Sequence, residues 1–151
     1  MLEIHWVLKS FSDLTPSELY AILQLRNDVF VVEQQCVYQD ADGKDPDAYH
    51  LMGWYKKTLA VYTRLLPPGL SYADHSSIGR VVSSKTIRGK GLGKELMERS
   101  IDELIQLFPQ VPIKIGAQRY LTTFYESLGF KQVSAVYLED GIEHIDMLLD
   151  C

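Results

Sequence analysis

Residues 77 to 97 read SIGRVVSSKTIRGKGLGKELM, and no other stretch restricts the possible folds as much. A β-rich run, Ser77 to Ser83, leads directly into a loop in which Gly89, Gly91 and Gly93 alternate with Arg88, Lys90, Leu92 and Lys94. From Gly91 onward Leu92, Leu96, Met97, Ile101, Leu104, Ile105 and Phe108 hold one face of a helix until Pro109 stops it. A glycine loop between a strand end and a helix start presents unpaired N–H groups and the positive end of the helix dipole, a setting that favours an anion. Two common owners of such loops fail on spacing. A P-loop needs G-x-x-x-x-G-K-[ST], but Lys94 is followed by Glu95 and position 88 is Arg88. A dinucleotide loop needs G-x-G-x-x-G, and counting from Gly89 its third glycine falls on Lys94.

The flanking segments place this unit in a larger order. Leu2 to Leu8 reads as a strand, and Thr15-Pro16-Ser17-Glu18 as a capping box that opens a helix carrying Leu19, Ile22, Leu23, Val29 and Phe30 on one face. Residues 33 to 50 are acidic and rich in turn formers, which predicts a long loop. Tyr49 to Tyr55 and Thr58 to Leu66 form a hairpin about Lys56-Lys57. Ile113 to Ala117 is a strand that completes a β-α-β unit and hence a parallel pair with Ser77 to Ser83. A short helix over Leu121 to Leu128 ends at Gly129, and strands over Val133 to Leu138 and Ile142 to Leu149 flank an Asp140-Gly141 turn. The sum is one α/β (α+β) domain over residues 1–151, with a mixed, mostly antiparallel sheet of about seven strands, flanking helices and one β-α-β crossover.

Composition narrows the partners. A formal net charge of -5 argues against a nucleic-acid binder, whose footprint is a basic face, and suits a cationic small molecule or basic peptide better. Two cysteines, Cys36 and Cys151, supply neither a disulfide framework nor a four-ligand zinc site, so a reducing cytoplasm is the expected compartment. No apolar run approaches the ~18 residues that a membrane span requires. The aspartates at 40, 42, 45 and 47 invite a calcium reading that fails: with Asp40 as position 1, position 6 is Asp45 and position 12 is Leu51. They read as a solvated loop that attracts a cationic acceptor, and no metal is expected.

The pattern that the glycine loop does fit is Arg88-x-x-Gly91-x-Gly93, followed about thirty residues on by Phe124-Tyr125-Glu126-Ser127-Leu128-Gly129-Phe130. In both motifs and in the order of its elements the chain resembles the GNAT superfamily of acyl-CoA-dependent N-acyltransferases. Residues 25 to 45, LRNDVFVVEQQCVYQDADGKD, and 139 to 147, EDGIEHIDM, resemble the ElaA branch of it. The resemblance implies acetyl-CoA as cosubstrate, with its pyrophosphate wrapped by residues 88 to 94 and its pantetheine arm paired along Val81, Val82 and Ser83. It further implies that the two parallel strands splay apart and that a backbone N–H near Val82 faces the thioester oxygen. Gly91 and Gly93 are the glycines expected to refuse side chains, with Gly89 outside the motif. Many members place Asn seven residues before the tyrosine; here that position is Gln118, which keeps the amide on a longer arm.

By the same resemblance Tyr125 is the acid that serves the leaving thiolate. A primary ammonium must lose a proton before it attacks, and Glu33, at the end of an apolar run and the start of the acidic loop, is the first candidate base, with His144 and His50 as alternatives. The expected activity is direct transfer of acetyl to a primary amine of a small molecule or peptide, with no nucleic acid or membrane involved and a homodimer allowed. The alternative is a non-catalytic acyl-CoA-binding or sensing module on the same fold.

Overall fold

The computed structural model of the chain describes residues 2–150, which leaves Met1 and Cys151 outside it. The capping box forms as the sequence predicts. Thr15 Oγ1 accepts the Glu18 N–H at 3.1 Å, Glu18 Oε1 accepts the Thr15 N–H at 2.8 Å, and Pro16 opens helix α1, Pro16–Arg26. The helix then widens into a π-helical turn, Asn27–Glu33, which leads to the acidic loop.

Strands β1 (Ile4–Ser10), β2 (Tyr49–Tyr55), β3 (Thr58–Leu66) and β4 (Ser77–Ser83) form one antiparallel sheet in that order. After β4 come the glycine loop and helix α2 (Leu92–Leu107), then β5 (Ile113–Gln118) and the short helix α3 (Thr122–Ser127). A second antiparallel sheet contains β5, β6 (Lys131–Gln132), β7 (Tyr137–Glu139) and β8 (Ile142–Leu149), with β8 pairing the other three. Eight strands are present among the described residues where about seven were expected. The difference is the single run expected over Val133 to Leu138. There the Ser134 hydroxyl accepts the Asp146 N–H at 2.8 Å in place of a main-chain carbonyl, which interrupts the ladder between β6 and β7.

The first sheet is covered on both faces. Ile22 and Leu25 of α1 and Val29 of the π-turn meet Met52, Tyr62 and Val82 on one side; Leu92 and Leu96 of α2 meet Ala60 and Val61 on the other. Strand β3 is therefore buried through nearly all its length, as a central strand covered on both faces must be. The second half of α2, through Met97, Ile101 and Leu104, packs with Ile113, Ile115, Ile145 and Met147 of the second sheet.

The parallel contact between β4 and β5 is short, and the two strands splay apart as the resemblance implies. The β4 and β5 strands are not a paired parallel ladder: they meet through a single parallel bridge at Ser76 and Ile113, where Ser76 N–H donates to Pro112 O at 3.1 Å and Lys114 N–H to Ser76 O at 2.9 Å. The physical cause lies in β4. Tyr62 faces Val82 and Arg64 faces Gly79, so Arg80 and Val81 together oppose Thr63 alone, a bulge that bends the strand, with Arg80 at φ +49°. The separation of β4 from β5 joins the two sheets at one end and opens a cleft at the other.

Candidate active site

The cleft has a volume of about 290 Å³. Gly79, Arg80 and Val81 form one wall, and Ile115, Gly116, Ala117 and Gln118 form the other. Across β4 the hydrogen-bond phase is set by Ser84, whose N–H donates to Ala60 O at 2.7 Å. Val82 shares that phase and faces Tyr62, so its N–H turns toward β3 while the backbone of Val81 and Ser83 forms the free edge. The free N–H groups near Val82 are therefore those of its two neighbours, Val81 and Ser83.

The glycine loop lies at the far end of β4. Gly89 and Gly91 have φ of +80° and +77°, a region that costs an L-residue about 1–2 kcal/mol. Gly91 is the N-cap of α2 and makes no side-chain cap bond, so the first N–H groups of a 16-residue helix are left without a side-chain partner from the cap. A Cβ on Gly93 would meet nothing within 4 Å. The backbone thus demands glycine at 89 and 91, and the earlier placing of Gly89 outside the essential set is wrong. Lys90 and Lys94 are exposed on either side of Gly91, while Leu92 is buried against the sheet.

Glu33 is engaged by the side chain of Arg88. Both Arg88 Nη atoms bind the Glu33 carboxylate, Nη2 at 2.8 Å to Oε1, and Nε and Nη2 also donate to Ser83 O at 3.2 and 3.1 Å. The Arg88 side chain is thereby committed to the protein and ties the π-turn to the end of β4, so only its backbone remains for an anion. The hydrogen bond from Arg88 holds the Glu33 carboxyl below the ordinary carboxylate range. Glu33 also lies outside the residues that line the cleft. A chelated carboxylate with a depressed pKa is a poor proton acceptor, which removes the physical case for Glu33 as the base.

Tyr125 does line the cleft. It is 7 % exposed, its ring is held edge-on by Phe124 and Phe130 with centroids 5.2 and 5.9 Å away, and among the described residues its hydroxyl has no hydrogen-bond partner. Burial pushes the phenol up to about 12, so it keeps its proton at neutral pH and serves as a hydrogen-bond donor.

A splayed pair of strands, a bulge beside the gap, an uncapped glycine-led helix and a buried tyrosine agree with the sequence of the chain as a whole. The sequence model described as "Acetyltransferase (GNAT) domain" matches residues 18–151. The chain belongs to the GNAT acetyltransferase family. Within that family it is 44% identical over 146 residues to the protein ElaA of Escherichia coli K12, covering 95% of each chain. The crystal structure of E. coli ElaA superposes with a TM-score of 0.92 at 42% identity, covering 98% of this chain and 100% of that one. An acyl-CoA N-acyltransferase from Pseudomonas aeruginosa superposes with a TM-score of 0.94 at 47% identity, covering 97% and 99%. No helix among the described residues is long and apolar enough to cross a membrane.

The acidic loop of this GNAT protein is not the solvated loop that the sequence suggested. Arg26, fully buried, donates to Asp40 Oδ2 at 2.8 Å and to Asp45 at 2.8 and 3.2 Å. Arg64 binds Asp42 at 2.8 and 2.9 Å and Asp45 at 2.9 Å, and Arg80 lies 2.8 Å from Asp40 Oδ1. Three of the four aspartates are neutralised from inside the protein, so they are not a free attractant for a cation. Burial pushes the Asp42 and Asp45 carboxyls up, but hydrogen bonds and charges from the arginines outweigh it and hold both below the ordinary range. The loop also carries Tyr38, which donates to Asp40 Oδ1 at 2.9 Å beneath the Arg80 guanidinium, and Cys36; both line the cleft. The network went unread because each of its arginines is an ordinary member of a helix or strand and its partners are 14 to 40 residues away.

The two histidines named as alternatives separate cleanly. His50 is fully buried away from the cleft, with Nε2 donating to Asp45 O at 3.0 Å and Nδ1 accepting from Tyr62 Oη at 2.6 Å, and burial holds its pKa down. It is a structural neutral imidazole. His144 lies on the wall of the cleft.

Proposed function

We propose that this GNAT protein is an acyl-CoA-dependent N-acyltransferase that moves an acetyl group from acetyl-CoA to a primary amine of a small molecule or peptide, by direct attack in a ternary complex. The observation that carries the reading is the cleft itself: two strands part beside a bulge, and the one buried tyrosine on its wall holds an unpartnered hydroxyl. The name of the Pseudomonas relative, an acyl-CoA N-acyltransferase, supports the same chemistry.

In this reading the coenzyme pyrophosphate lies on the backbone N–H groups of residues 88 to 94 at the α2 N-terminus, with Lys90 and Lys94 alongside. Gly93 leaves room for close approach, since a side chain there would project outward and away from the protein. The pantetheine arm runs along the free edge of β4 at Val81 to Ser83, with the Gln118 amide on the opposite wall. A free N–H of that edge polarises the thioester carbonyl. Tyr125 donates a hydrogen bond to sulfur as the C–S bond breaks.

The test is Tyr125→Phe, assayed by thiol release from acetyl-CoA against a panel of primary amines. Turnover falls about 100-fold or more, the usual worth of a positioned acid, while calorimetric acetyl-CoA affinity stays within about twofold. Unchanged turnover would remove Tyr125 from the chemistry. Tight acetyl-CoA binding with no transfer to any amine by the wild-type protein would favour a non-catalytic binding module.

A further inference from the structure

The acyltransfer reading leaves the proton of the incoming ammonium without an acceptor once Glu33 is committed to Arg88. We propose that His144 Nε2 takes that proton, with Ile142 O fixing the ring and Glu139 receiving the imidazolium that forms. The inference rests on the acyltransfer reading and names the base within the same site.

Three contacts carry it. His144 Nδ1 lies 2.8 Å from Ile142 O. A carbonyl only accepts, so Nδ1 carries the hydrogen and the neutral ring presents its lone pair at Nε2. Nε2 faces Glu139 Oε2 at 3.5 Å, too long to be a hydrogen bond of the neutral ring and near enough for an ion pair when the ring is charged. Tyr137 stacks on the imidazole at 5.9 Å and 24°, which holds its plane. The ring is 7 % exposed yet lines the same cleft as Tyr125, which puts an imidazole and a phenol on the walls of one space.

The other titratable groups around the cleft are less suited. Tyr38 is engaged by Asp40, and Arg80 is held by Asp40 and Asp42. Cys36, Tyr120 and Asp140 line the cleft too, and Gln118 of β5 is the cross-strand partner of His144. The Arg119–Glu143 pair flanks the same sheet at 3.2 Å. Glu139 and Asp140 place two carboxylates at the end of the cleft by the β7–β8 turn, which selects an acceptor that arrives as a cation. An imidazole is better matched than a carboxylate to deprotonating such a group near neutral pH.

The step balances. The ammonium gives one proton to His144 Nε2, and its nitrogen attacks the thioester carbon. A C–N bond forms, the C–S bond breaks, and the second nitrogen proton ends on sulfur through the Tyr125 hydroxyl. The products are the amide, the free thiol and one proton, which His144 passes to solvent.

The experiment measures kcat/KM against pH for wild type, His144→Gln and Glu139→Gln, with acetyl-CoA and putrescine, tyramine or a lysyl peptide as acceptors. His144→Gln is expected to lose about 100-fold in kcat/KM and the acidic limb of the profile, with acetyl-CoA affinity unchanged. Glu139→Gln, at a mostly exposed position, is expected to lose a few-fold in kcat/KM. A limb retained in His144→Gln overturns the assignment. If the wild type binds acetyl-CoA yet acetylates none of these amines, the acyltransfer reading falls first. The base assignment, which rests on that reading, falls with it; where transfer is seen, nitrogen-15 spectra of His144 test the assignment separately. Hydrogen on Nδ1 is the expected result, and hydrogen on Nε2 overturns the assignment.

Discussion

The glycine loop and the acidic loop are built on opposite principles. The glycine loop, residues 88 to 91, owes its shape to backbone: Gly89 and Gly91 adopt positive φ, and the helix that follows begins on a residue with no cap side chain. The acidic loop owes its shape to side chains, because Arg26, Arg64 and Arg80 reach into it from a helix and two strands and neutralise Asp40, Asp42 and Asp45. The first loop is thus shaped by conformational preference and left open to an anion. The other is shaped by desolvated charge and closed to free ions. The difference teaches that a run of like charges in a sequence says little about its potential in the fold until its partners are located.

The comparison is most exposed at Arg26. Replacing it by Met leaves Asp45 and Asp40 without their buried partner, and chemical denaturation is expected to show a loss of about 3–5 kcal/mol, the usual cost of breaking one side of a buried ion pair. A loss below about 1 kcal/mol would mean that the loop is solvated after all. Next comes pH. Asp42 and Asp45 are depressed in the fold, so their contribution is fully present above the unfolded carboxylate value near 3.9 and is lost as pH falls through their folded values. Melting temperature is expected to be flat on this account above about pH 5 and to drop below about pH 4. Arg26→Met should remove much of that acid-side loss along with the stability itself.

On the glycine side the expected effects are smaller in stability and larger in binding. Gly91→Ala is expected to cost about 1–2 kcal/mol, because the left-handed conformation is kept at the expense of a Cβ clash. Gly93→Val sits in an open helical position where Val has the better helix propensity, so stability is expected to hold or rise by up to about 0.5 kcal/mol, while acetyl-CoA affinity measured by calorimetry falls at least tenfold. Equal affinity in that variant would detach the coenzyme from the α2 N-terminus. The smallest effect belongs to Asp47→Asn, the exposed aspartate outside the arginine network, expected within about ±0.5 kcal/mol in stability.

What could be read in advance follows the range of the interaction. The capping box spans Thr15 to Glu18, the α2 stripe repeats every three or four residues, and the Asp140-Gly141 turn joins β7 to β8 with both residues at positive φ, as its sequence demands. All of these are decided within one or two turns of chain, where residue type alone sets the energy. The splay of β4 from β5 was legible only through the family resemblance, because the bulge behind it depends on how β4 sits against β3, which no local pattern in SIGRVVS announces. Glu33 was misread because its partner, Arg88, is 55 residues away.

The sequence by itself determined the order of elements, the glycine loop and the tyrosine that follows it, because these are written in backbone conformation and in a spacing that the GNAT family shares. The tertiary structure alone decided which charges are spent and which remain. Arg88 and Glu33 cancel each other, three of the four aspartates of the acidic loop are absorbed by three arginines, and His144 is left in the cleft with its hydrogen held on Nδ1 by Ile142 O. The physical reason is that the state of an ionisable side chain depends on burial and on neighbours a few ångströms away, and folding brings those neighbours from anywhere in the chain.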